Sequence, residues 1–266
     1  MKLTIKIIIL AIIANITIAA TAFSYERIII LYGAVSPIIK ELSLSDKVVG
    51  VSKSDTVFTK VTKLGSHLRP NIELINALEP DIILTGSKRT FNEEMVSKVN
   101  AKVLYFDPQT LDEVLEKITE LGRLFGEENK AKELVKSSKE KLKKIKPLTK
   151  KPTVIYEISA QPLRIAGKKS IVTSIINAAG GENVITIEKK HTVISPELIL
   201  KSEPDYYFYQ TGPMNKNPTP VKERDQFTTL KSMIVNVDQY EFTRAGLNVF
   251  DAVIKMNQYF LGENNE

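Results

Sequence analysis

The chain has no cysteine and no tryptophan, and its only histidines are His67 and His191. Without cysteine there is no disulfide framework, thiolate metal site, cysteine nucleophile or thioether-linked lipid. Two imidazoles are too few for a metal cage built from histidine alone. Past the first 22 residues no apolar run is long enough to cross a membrane. Charge of neither sign dominates, since 37 basic side chains face 31 acidic ones for a net +6. With 43% hydrophobic and 26% charged residues, disordered, collagen-like and coiled-coil classes are excluded. At 266 residues the chain is long enough for one large domain or two smaller ones, each with its own core.

Residues 1–22 read as an export signal: Lys2 and Lys6, an apolar stretch from Ile7 to Ala20, and Ala20-Thr21-Ala22 as a small-x-small cleavage site. Asn15, Thr17 and Thr21 interrupt the run, which argues for cleavage near Ala22 over a retained anchor. Removing two lysines and no acids lowers the net charge from +6 to +4. The expectation is a soluble periplasmic protein with no membrane insertion after cleavage. Nucleic acid is not an expected partner. The eight lysines and four acids of residues 127–146 surround Ala131, Leu134, Val135, Ser138, Leu142 and Ile145 at helical spacing, with no aromatic residue among them.

Short apolar strands are expected at Arg27–Tyr32, Lys47–Val51, Asp81–Leu84 and Lys102–Phe106, with a short helix through Leu42 and a longer one over Asp112–Leu124. Gly126 closes that helix, and a lysine-rich helix follows over 127–146 until Pro147 and Pro152. The alternation restarts with a strand at Thr153–Ile158, a helix at Ser170–Ala179 ended by Gly180-Gly181, a strand at Tyr206–Gln210 and a last helix from about Leu247 to Leu261. This pattern predicts an α/β fold of two lobes, with central parallel-type sheets flanked by helices. The divisions are a lobe over 23–126, a rigid connecting helix over 127–146 and a lobe over 147–266.

An internal repeat supports that division. His67-Leu-Arg-Pro-Asn-Ile-Glu73-Leu74-Ile75 runs on to Glu79-Pro80-Asp81, and His191-Thr-Val-Ile-Ser-Pro-Glu197-Leu198-Ile199 runs on to Glu203-Pro204-Asp205. Both read His-x5-Glu-Leu-Ile-x3-Glu-Pro-Asp without a gap. Each unit predicts a loop carrying histidine, a short helix with a glutamate in its dipole-favoured first turn, a Pro-Asp break and a buried strand. A building block shared by two lobes explains most of this; it does not explain both histidines of the chain standing at one slot.

Taken together, the signal segment, Tyr32-Gly33-Ala34-Val35-Ser36-Pro37, Lys47-Val48-Val49-Gly50-Val51, the paired Glu-Pro-Asp units, the long middle helix, and Gly167-Lys168-Lys169-Ser170 before Gly180-Gly181-Glu182-Asn183 resemble class III periplasmic binding proteins. These are the receptors of ABC importers for iron–siderophore complexes, haem and cobalamin. The resemblance implies two α/β lobes bridged by a rigid helix, with ligand held between them and cargo passed to an inner-membrane permease with its ATPase. It places the permease-docking glutamates at Glu73 and Glu197. In cobalamin receptors the slot six residues earlier resembles the place of a ligand-stacking tryptophan; here it holds His67 and His191.

These histidines are the leading ligand-binding candidates, and metal ligands wherever a chelated metal has open axial positions. Tyr32 ends the first strand, where open α/β sheets place ligand contacts. Arg69, Arg89 and Arg164 are candidates for pairing with carboxylates on a chelate. No cofactor of the protein's own is expected, the chelate being cargo. No phosphate-cradling loop, nucleophile elbow or His-Glu-x-x-His motif is present, so the protein reads as a receptor and not an enzyme. The competing readings are a tetrapyrrole metal chelatase pairing each histidine with its glutamate, and a receptor for a bare divalent ion.

Overall fold

A computed structural model describes residues 25–263; residues 1–22, read above as an export signal, lie outside the described residues. In the first half, β1 (Ile28–Ile30), α1 (Ser36–Glu41), β2 (Val48–Val51) and β3 (Thr62–Lys63) precede a hairpin of β4 (Gly65–Ser66) and β5 (Arg69–Pro70). Then come α2 (Ile72–Ala77), β6 (Ile82–Thr85), α3 (Glu93–Val96), β7 (Lys102–Tyr105) and α4 (Leu111–Phe125). The sheet order is β3-β2-β1-β6-β7, all parallel. Its central strands are near-continuous Ile, Leu and Val because helices cover both faces.

After α5 (Glu128–Leu142) come β8 (Thr153–Ser159), β9 (Arg164–Ala166), α6 (Ile171–Ala178), β10 (Glu182–Asn183), β11 (His191–Val193) and α7 (Pro196–Ser202). The chain ends with β12 (Tyr206–Thr211), β13 (Met233–Asp238), α8 (Gln239–Phe242) and α9 (Asn248–Phe260). Here the order is β11-β9-β8-β12-β13, with β10 also on β8. This sheet is mixed, not wholly parallel. Only the short turn 160–163 separates β8 from β9, so β9 must return antiparallel, and β11 pairs antiparallel with β9.

The repeat is explained by what its last residues do. Glu79 and Glu203 both adopt left-handed backbone, at φ +42° and +41°, turning the chain out of α2 and α7. The aspartate two residues on then fastens the outer end of the sheet. Asp81 Oδ2 accepts from Glu26 N and Arg27 N at 2.8 and 2.9 Å, ahead of β1. Asp205 Oδ2 accepts from Thr153 N and Oγ1 at 2.8 and 2.9 Å, at the start of β8. Pro-Asp is thus more than a helix stop: it sets where the central strand begins.

The halves are joined by more than one helix. Thr110 caps α4 by accepting from Glu113 N at 3.1 Å, and left-handed Gly126 ends it. At Gly122 a side chain would stand 2.3 Å from the Ala131 Cβ, so α4 and α5 pack backbone to backbone. Lys130 in the first turn of α5 donates to Leu42 O at 3.4 Å, while Lys141 in its last turn pairs with Asp251 of α9 at 2.7 Å. Leu111 N, opening α4, donates to Ser174 Oγ of α6 at 3.1 Å. One apolar cluster runs through both halves, from Ile28 and Ile82 through Val114 and Ile118 to Tyr156 and Phe250. The lysine-rich helix stops at Leu142, short of the expected residue 146, because Asn257 takes the Lys146 N–H and carbonyl, each at 3.0 Å.

Candidate functional site

In the first sheet β1 lies between β2 and β6, so the winding reverses at its carboxyl end. In open α/β sheets this is the position at which ligands bind. Tyr32 follows β1 at this point, half-buried, and its Oη accepts from Ala245 N of the second half at 3.3 Å. Burial raises its phenol pKa above the usual value, against the lowering fields of Lys190 and Arg244. Arg244 Nη2 donates to Ser54 O at 3.3 Å, and its guanidinium lies 3.6 Å from the Tyr240 ring centroid. A Cβ on Gly246 would come within 2.5 Å of Ala34 O, so the two backbones meet where only glycine fits. Lys190 Nζ and Asp107 Oδ1 also pair across the halves, at 2.6 Å.

The repeat puts the histidines at one sequence slot, but their settings differ. His191 opens β11, half-buried and paired with Ala166 of β9, so a sheet edge fixes it. His67 stands with Leu68 at the exposed tip of the β4–β5 hairpin, outside the main sheet. The pKa of His191 is lowered to about 4, first by burial and then by Lys190, Arg164 and Arg89; Asp107 opposes them. That of His67 is lowered by loss of solvent and by Arg244. At neutral pH the His191 imidazole is uncharged and the shift at His67 favours its neutral form, which has a nitrogen lone pair to offer.

The fields acting on His191 come from both halves: Arg89 and Asp107 from the first, Arg164 and Lys190 from the second. The half-buried Arg164 stands in β9 beside β11, and the exposed Arg89 follows β6. Arg69 is an exposed hairpin residue; the guanidinium whose field reaches His67 is Arg244. Arg244, Tyr240, Lys190 and Asp107 belong to no sequence motif. Only Asp107, just past the carboxyl end of β7, stands where strand-end reasoning would seek a ligand contact.

Because its proton is excluded in the native state, His191 makes stability depend on pH. Its folded pKa lies below the unfolded value near 6.5, so stability is full above pH 6.5 and falls as pH drops towards 4. The loss is about 1–2 kcal/mol after allowance for solvent screening at a partly exposed site. Urea melts at pH 7 and pH 4.5 will show His191→Gln losing less than the parent chain; an unchanged difference would contradict the assignment.

Glu73 and Glu197 lie exposed in the first turns of α2 and α7. Ile75 and Ile199 anchor these helices, both fully buried. The Ser195 hydroxyl holds the Glu197 carboxyl below its ordinary pKa. Among the described residues no hydrogen bond joins either glutamate to its repeat's histidine, and no three His, Asp or Glu side chains group to hold a bare ion.

A family model described as periplasmic binding protein matches residues 28–231. An uncharacterized ABC transporter substrate-binding lipoprotein of Bacillus subtilis, YvrC, is 27% identical over 86% of this chain and 77% of its own length. The high-affinity heme uptake system protein IsdE of Staphylococcus aureus is 29% identical over 56% of this chain, which spans about half of that relative, 53%. Among solved structures, S. aureus IsdE complexed with heme superposes with a TM-score of 0.77 at 23% identity, covering 88% of this chain and 98% of that one. The periplasmic heme-binding protein HutB of Vibrio cholerae gives 0.76 at 18% identity, covering 89% and 99%. The chain belongs to the periplasmic binding protein family and is a substrate-binding protein of an ABC importer, not an enzyme.

Proposed function

We propose that this protein captures a flat, carboxylate-bearing metal chelate of the haem type between its halves and delivers it to an ABC permease. The observation that carries this reading is the placement of one imidazole from each half, His67 at the β4–β5 hairpin and His191 on β11, each in the field of cationic side chains. Neutral imidazole nitrogens suit the axial positions of a chelated iron, and Arg89, Arg164, Lys190 and Arg244 suit its carboxylates. Exposed Leu68 and Val193, at 55% and 59%, stand beside the histidines and offer apolar contact to a planar ring. The haem proteins among the relatives agree with this class of cargo. Tyr32 serves as cleft wall, its hydroxyl being held by the opposite half. Export past the cytoplasmic membrane, with cleavage near Ala22, completes the reading; no helix among the described residues is long and apolar enough to cross a membrane.

The test is a visible-absorption titration with haemin, a cobalamin and a ferric siderophore. Haemin binding will shift the Soret band. His191→Ala will abolish that shift, and His67→Ala will weaken affinity about tenfold, equivalent to ~1.4 kcal/mol, since the hairpin tip is less firmly held. Haemin binding with an unchanged band in both variants would demote the histidines to cleft lining. Binding of cobalamin or siderophore alone would replace haem as the cargo.

A further inference from the structure

Lys132, Lys136 and Lys139 of α5 and Lys143, just past its end, recur at spacings of four, three and four, which aligns them in one stripe about 16 Å long. All four are exposed. They line a shallow groove of about 340 Å³ with Val135 and with Thr119 of α4. Ion pairing removes charge from the rest of the helix: Lys130 pairs with Glu127 at 2.8 Å and Lys141 with Asp251 at 2.7 Å. Within the groove Glu140 binds Lys143 at 2.6 Å. Among the described residues no ion pair holds Lys132, Lys136 or Lys139. Of the charges that no ion pair holds, Lys132, Lys136 and Lys139 line the groove while the acids Glu128 and Glu133 do not, so positive charge collects on one edge of the helix that joins the two halves.

We propose that this stripe docks the protein on an anionic phospholipid bilayer. Charge complementarity identifies the partner, and a straight row of lysines on a convex helix suits a flat anionic surface. Single-stranded nucleic acid would call for stacking rings, and none lines the groove. The B. subtilis relative is described as a lipoprotein, whereas this sequence holds no cysteine to carry a thioether-linked lipid. Lysine contacts with anionic lipid supply reversible retention near a membrane permease by another route. The contact is screened by salt, because the charges are fully solvated.

Co-sedimentation of the exported, purified chain with vesicles tests this. Binding is expected to phosphatidylglycerol-containing vesicles and not to pure phosphatidylcholine, and it weakens as salt rises. Neutralising the stripe in a K132Q/K136Q/K139Q variant lowers the partition coefficient about 100-fold. A K60Q/K216Q/K222Q variant, with the same change in net charge at other exposed lysines, binds within about threefold of the parent chain. Equal loss in both triple variants would reduce the effect to net charge and overturn the stripe. So would absence of phosphatidylglycerol-dependent binding, or binding of soluble polyphosphate without binding of vesicles. Haemin titration of the same variants separates this outcome from failure of the cargo assignment.

Discussion

Arg224→Met will lower the free energy of unfolding by about 3–5 kcal/mol, read as a fall in the urea midpoint at unchanged slope. Arg224 follows the short turn Val221–Glu223, and its Nη1 lies 2.6 Å from Glu157 Oε2 in the middle of β8. Glu157 is fully buried and Arg224 is 7% exposed. Tyr207 on β12 donates its hydroxyl to the same carboxylate oxygen at 2.5 Å, and Asn215 Nδ2 reaches the other at 3.3 Å. Burial, then the charge of Glu157, drives the Tyr207 phenol far above its ordinary pKa, so it stays a donor throughout the physiological range. Removing the guanidinium leaves a carboxylate in an apolar layer of Ile155, Ile165 and Phe227 with no opposing charge. The double variant Glu157→Gln/Arg224→Met will recover at least half of the loss, because no charge then remains buried. A single variant costing under about 1 kcal/mol, or a double variant no better than the single, would show that the pair does not carry this region.

That pair also marks a limit of sequence reading. Glu157 interrupts an otherwise apolar strand, and its partner lies 67 residues later in a segment without periodicity. Local chemistry was legible: the helical pattern of Asp112–Leu124 and its end at Gly126 mark α4, and the β1 and β8 strands show in their apolar runs. β13 was not, because Val235 and Val237 are its only buried residues, too short an alternation to separate from loop. The end of α5 was hidden for another reason, since Asn257 decides it from a distant helix. At the cleft, the repeat draws attention to His67 and His191, but nothing in it distinguishes a hairpin tip from a sheet edge. Arg244 was out of reach altogether: its bond to Ser54 spans 190 residues, and an isolated arginine carries no local signature.

Replacing Glu73 or Glu197 by alanine will cut import about tenfold each, or ~1.4 kcal/mol apiece, and the double change about 100-fold. Cargo affinity in solution will stay as it was. Each glutamate stands exposed one residue into a helix whose position is fixed three ways: by a buried isoleucine two residues on, by the left-handed turn at Glu79 or Glu203, and by the strand-fastening Asp81 or Asp205. Under the docking role that we propose for them, the two carboxylates, one on each half, would form a two-point key for basic groups on a permease. Neither carboxylate is held in an ion pair among the described residues, so no counter-charge has to be displaced on docking, although Glu197 would exchange its Ser195 hydrogen bond. Solvated rim charges act mainly on encounter and register, so parent import will fall with ionic strength while import by the double variant stays nearly flat. Because the two carboxylates stand on different halves and contact none of the same residues of this chain, their effects should multiply. Glu→Gln at both positions will match alanine if charge is what the permease reads, whereas full activity of the glutamine variant would assign recognition to shape. Haemin titration alongside the transport assay decides between docking and capture: parallel loss of both would move these residues from the permease surface to the cargo cleft.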